Sequence, residues 1–230
     1  MFHRFQRYAI QRCHRYAPEA VQAREMRHGM EWNAVLLDPD RNQKYRQRFG
    51  RGVQLRASPE NYDDRVFTAR VLRAEANRDF YRQNFGSNLL EIGLVVPKTR
   101  PWFFGCVDAV VPLSRSLAVC TGNMPIHRLV ELHSPTHMPV AMQDQATAEL
   151  AKANPEYHRH IPAAIYHKMQ GNMWLLDVPL CHLVLRADDR VFEQLVPFDS
   201  GYFYRTMLPI LDNFAADVVC PRRISAGIED

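Results

Sequence analysis

Between Ser58 and Phe85 the apolar positions recur at three- and four-residue steps: Val66, Ala69, Leu72, Ala76, Phe80 and Tyr81. That spacing returns side chains to one face of a helix. Ser58-Pro59-Glu60 supplies a start, a capping serine followed by proline at the first helical position, and Gly86 supplies a stop. The pattern predicts a long helix over about 58–85, apolar on one side and carrying Arg65, Arg73, Arg78 and Arg82 on the rest.

Past Gly86 the pattern shortens. Apolar runs bounded by Pro, Gly and Asn predict strands at 89–96, 103–111, 116–120 and 126–132. Helical patterns follow at 143–153, stopped by Asn154-Pro155, and at 162–170, stopped by Gly171. Residues 174–186 read as strand again, with Pro179 moving part of it to a sheet edge. Short helices are expected at 189–195 and 202–214. Upstream, 1–30 reads as basic helix broken near Pro18, and 32–37 as a short strand ended by the Asp38-Pro39-Asp40 turn. The fold class is therefore α+β: N-terminal helices, the long one at about 58–85, followed by a mostly antiparallel sheet with additional short helices. The domain division is an N-terminal extension (1–30), one globular domain (31–219) and a C-terminal tail (220–230).

Composition adds bounds. With 230 residues, 47% of them hydrophobic and 23% charged, the chain is long enough to bury a real core. The longest apolar run, 102–113, is interrupted by Asp108. It falls short of the roughly 20 residues a spanning helix needs, so no transmembrane segment is expected. Five widely spaced cysteines without a CxxC argue against a disulfide framework and fit a reducing compartment.

Charge is uneven. Residues 1–100 carry a net charge of +8 and residues 101–230 a net of −4. No acidic residue precedes Glu19, whereas Arg4, Arg7, Arg12 and Arg15 do. On a helix, Phe2, Phe5, Ala9, Cys13 and Tyr16 would share one face, with most of the cations opposite. This is the composition of a mitochondrial targeting segment. A second basic block follows: Arg41, Lys44, Arg46, Arg48, Arg51 and Arg56, interleaved with Tyr45 and Phe49. Cations would neutralise phosphates and the aromatics could stack on bases. The same block suits an acidic protein surface or an anionic lipid such as cardiolipin.

Candidate chemistry is sparse in the linear chain. His133 and His137 have zinc-site spacing, but Pro135 breaks the helix such a pair needs. His158, His160 and His182 read as surface or interface histidines rather than a zinc site, and Cys106 and Cys181 are the conceivable nucleophiles. Cys106 lies in an apolar run that would keep its thiol protonated. There is no nucleophile elbow, P-loop or dinucleotide fingerprint. Acid pairs at Asp38/Asp40, Asp63/Asp64 and Asp188/Asp189 have turn and helix-start explanations. No catalytic residue, metal or cofactor is assigned.

The expectation is a non-catalytic accessory subunit of a mitochondrial multiprotein complex, most of all a peripheral subunit of an inner-membrane respiratory or ATP-synthase assembly. It would sit in the matrix or on the matrix face of the inner membrane, with the cytoplasm as the other location. The two basic segments would contact protein subunits, cardiolipin or RNA. The alternatives are a mitochondrial ribosomal or other RNA-binding protein using 41–56, and an enzyme with a Cys/His centre.

Overall fold

The computed structural model describes residues 8–10 and most of 64–219. Helix α1 (Asp64–Phe85) is the predicted long helix. It ends where expected. The Gly86 amide donates to the Arg82 carbonyl at 3.1 Å, and its φ of +57° is a conformation that side chains disfavour.

Among the described residues, seven strands form two sheets. The smaller joins β1 (Tyr8–Ile10), β2 (Leu94–Pro97) and β3 (Gly105–Cys106), all antiparallel. The larger runs in the order β4 (Ala109–Pro112), β5 (Ile126–His133), β6 (Leu180–Ala187) and β7 (Arg190–Pro197). Its β5–β6 pair is parallel and the other two are antiparallel. Parallel neighbours need a long crossover. Here it contains α2 (Val140–Gln143) and α3 (Ala163–Leu176). The architecture is α+β, as the pattern predicts, with a mixed four-stranded sheet and several short helices.

Strand alternation divides the larger sheet into two faces. Val110, Leu129, Cys181, Leu183, Leu185, Phe192 and Val196 face α3 and pack with its Met169, Met173 and Leu175 in one core. Ala109, Val130, Leu132 and Val184 face α1 and pack with Tyr81 and Leu89 in a second. Outside α3 lies a further helical layer: α4 (Ser200–Tyr202), a π-helical turn (Phe203–Met207) and α5 (Leu208–Phe214). Phe203 stacks on Trp174 there, ring centroids 5.1 Å apart. Gln170 of α3 is fully buried. It donates to the Pro197 carbonyl at 3.0 Å and accepts from the Asp199 amide at 2.8 Å, fixing the end of β7 against the helix.

Several expectations are corrected. Residues 8–10 are strand rather than helix. The predicted apolar stripe of α1 is only in part its buried face: Tyr81 is buried and Phe80 partly so, but Leu72 is 60% exposed and Ala76 is exposed, and Asn77 and Arg78 are buried instead. The buried charge of Arg78 is offset by an ion pair with Glu91, whose Oε1 lies 2.9 Å from its Nε. Gly171 does not stop α3. The helix runs on to Leu176 and turns at Asp177, whose φ of 53° is left-handed, as the short polar side chain of Asp tolerates. The 174–186 run is thus helix end, turn and strand. Residues 190–197 form β7 rather than a helix, with Phe192, Gln194 and Val196 alternating inward. Asp189 lies in the hairpin turn before it and starts no helix. The expected elements at 1–7, 32–37 and 116–120 lie outside the described residues. No helix among the described residues is long and apolar enough to cross a membrane.

The α1 face of the sheet holds a titratable pair. The Tyr81 hydroxyl and His182 Nδ1 are 2.7 Å apart, and Glu193 Oε2 lies 3.7 Å from His182 Nε2. Burial, with a smaller contribution from Arg128, lowers the His182 pKa to about 4. The unfolded chain takes up this proton near pH 6.5, before the folded chain does. Stability from this residue is therefore complete above pH 6.5 and is lost as pH falls through 4, about 3 kcal/mol in all. His160 and His167 are also lowered by burial and act with the same sign. Urea unfolding of the wild type should weaken steadily between pH 6.5 and 4, and His182→Asn should flatten that slope; equal slopes would contradict the assignment.

Candidate active site

The larger sheet carries two acids on its α3 face. Ala109 pairs with Val130, so Asp108 and Glu131 come next, opposite one another across β4 and β5. Glu131 lies between Leu129 and His133 on one side of β5, and its side chain is fully buried. Asp108 is 7% exposed, and its Oδ2 accepts from the Leu132 amide at 3.0 Å. That bond locks the head of β4 to the end of β5.

Lys168 answers this buried charge from above. It comes from α3 with its side chain 16% exposed. Its Nζ donates to Glu131 Oε1 and stands 3.7 Å from Asp108 Oδ2. His133 Nε2 lies 2.9 Å from the same Glu131 oxygen. Just past β5, the Ser134 hydroxyl donates to Asn77 Oδ1 of α1 at 2.6 Å. Both helices are thereby tied to the end of β5. Two carboxylates, an ammonium and an imidazole meet in one place, brought there by a strand pairing and a crossover helix. Hard oxygen donors beside a fixed cation can hold a metal ion, stabilise an anion or direct an acid–base step.

The sequence-assigned contact residues are not part of this cluster. Arg4, Arg7, Arg12 and Arg15, with Arg41, Lys44, Tyr45, Arg46, Arg48, Phe49, Arg51 and Arg56, lie outside the described residues. The expected Cys/His alternatives fare differently. Cys181 is buried in β6, and burial pushes its thiol well up, the wrong direction for a nucleophile. His137 is exposed, whereas its sequence neighbour His133 joins the acids. Asp108, Glu131 and Lys168 were missed as a set. Asp108 and Lys168 are each a lone charge inside an otherwise apolar predicted element, and Glu131 is the lone acid in its strand, which is the one local sign they carry.

No family model matches the sequence, and no curated protein matches it. Among solved structures, the chain is similar to the crystal structure of an alkaline exonuclease (LHK-Exo) from Laribacter hongkongensis. The identity is 17% and the TM-score 0.42, covering 67% of this chain and 71% of that one. It is also similar to the crystal structure of SSO0001, at 14% identity and a TM-score of 0.37, covering 76% of this chain and 70% of that one. The expectation of a non-catalytic subunit is corrected by the structure itself: the described residues assemble a buried acid–lysine cluster whose members are far apart in the chain.

A buried ion pair cut on one side leaves an uncompensated charge. Lys168→Met should therefore lower stability by about 3 kcal/mol, and adding Glu131→Met should restore most of it. Urea midpoints of the two single variants and the double variant measure this; additive losses would show that the two groups do not compensate one another.

Proposed function

We propose that Asp108, Glu131 and Lys168 form the centre of a metal-assisted phosphodiesterase acting on nucleic acid. The observation that carries this reading is the convergence of two buried carboxylates and one lysine at the ends of paired strands. Among the described residues, no set of three His, Cys, Asp or Glu is placed to hold an ion. Two carboxylates suit Mg²⁺ nonetheless, since that ion keeps several waters and takes one or two protein carboxylates. Asp108 and Glu131 are the residues that would hold it. When bound, such an ion polarises the phosphoryl oxygen and makes water a nucleophile at neutral pH.

The chain's own residues do the rest. The Asp108–Leu132 hydrogen bond keeps the acids in register, so that they are ordered before substrate arrives. Lys168 places a compact positive charge beside them, suited to the negative charge that builds on phosphate oxygens during displacement. His133 places a second nitrogen close to Glu131 Oε1, at 2.9 Å. Nucleic acid is favoured as substrate by the net +8 charge of residues 1–100 and by 25 arginines in the chain, planar donors that match phosphate.

Purified protein is expected to cleave DNA or RNA with millimolar Mg²⁺ or Mn²⁺ and to stop when EDTA is added. Asp108→Asn, Glu131→Gln and Lys168→Met should each lower kcat/KM by about 100-fold. Cleavage that continues in EDTA, or that all three variants retain, would exclude this site.

A further inference from the structure

Asn172 is 1% exposed, yet neither its Nδ2 nor its Oδ1 has a hydrogen-bond partner among the described residues. Its amide carries two donors and an acceptor with two lone pairs. Cores rarely leave such a group unmatched, because the water it gave up is not replaced. Its position gives a reason. Asn172 follows Lys168 by four residues, so the two project from the same face of α3. Lys168 meets Asp108 and Glu131, while Asn172 meets β3, three residues before Asp108. There a Cβ on Gly105 would lie 2.2 Å from Asn172 Oδ1 and 2.7 Å from Leu175 Cδ1. Only glycine lets the amide come so close to the strand that leads to Asp108.

We infer that Asn172 is a positioning residue of the hydrolytic site: its amide holds a water between α3 and the strand leading to Asp108, and that water fixes Lys168 over the acid pair. The inference rests on the phosphodiesterase reading above. A polar interior site beside a charged cluster is where buried water is retained. An amide kept only for packing would be better replaced by an apolar side chain of similar shape, whereas a residue kept for catalysis trades stability for order.

The experiment compares kcat, KM and thermal midpoint for the wild type, Asn172→Leu, Asn172→Ser and Asn172→Ala, with Asp108→Asn as the inactive reference. Asn172→Leu is expected to be at least as stable as the wild type and to lose about tenfold in kcat at unchanged KM. Asn172→Ser, with a hydroxyl and room for a water, is expected to keep most of the rate. Wild-type kcat in Asn172→Leu, while Asp108→Asn is inactive, overturns the inference and leaves the phosphodiesterase reading intact. If Asn172→Leu does not fold, Asn172→Ala decides: reduced kcat upholds the role and wild-type kcat overturns it. Should Asp108→Asn match the wild type, the phosphodiesterase reading falls, and this inference falls with it.

Discussion

The carboxylate of Glu131 sits fully buried in an inner strand of the larger sheet, and much of the structure answers to that one charge. An isolated carboxylate taken from water into a core is costly enough to be protonated or expelled unless a cation meets it. Lys168 is that cation. To reach Glu131, its helix must lie flat across the β5–β6 face, which makes α3 a central element buried along most of its length. A central helix needs a layer outside it. The segment from Ser200 to Phe214 provides that layer, with Phe203, Met207 and Leu211 in the same core as α3. Gln170 ties the layers together at the end of β7.

The opposite face of the sheet solves a different problem. There α1 meets β6 through groups kept neutral: the Tyr81 hydroxyl is pushed up by burial and the His182 imidazole is pushed down by it. Their hydrogen bond binds helix to sheet without a formal charge. One turn earlier on α1, Asn77 accepts from Ser134, next to the charged cluster. The neutral face thus steadies the strand end that carries Glu131 and His133. A site on sheet and helix, braced from both sides, holds its groups more closely than one on loops.

What the sequence made legible was local. The C-terminal end of α1 and its stop at Gly86, the span of β5 and the helix near the C-terminus follow from periodicity and punctuation. β7 was misread because Gln194 faces inward, so its alternation is not one of apolar against polar. The α3–β6 boundary lies within one mostly apolar run, marked there only by Asp177 and Pro179 between Leu176 and Leu180. The site was invisible for a more basic reason. Asp108 and Glu131 become neighbours by strand pairing, and Lys168 stands 37 residues beyond Glu131 across the crossover. Acid pairs sought side by side in the chain, such as Asp188/Asp189, could not reveal them. In the sequence Asp108 is an interruption in an apolar run, and a charge inside a buried strand is itself a demand for a partner.

That demand also bears on purpose. Well-packed apolar residues replace a buried ion pair with little loss, and often with a gain in stability. A fold that retains Asp108, Glu131 and Lys168 together gains no stability that apolar residues could not provide, and it leaves the Asn172 amide unmatched one turn away on the same helix face. Local choices that work against stability, gathered on one face of one helix and the strand ends beneath it, are what the proposed phosphodiesterase site would account for. The rest of the molecule, two apolar cores on either side of a short mixed sheet, supplies the rigidity that makes this concentration of polar groups tolerable.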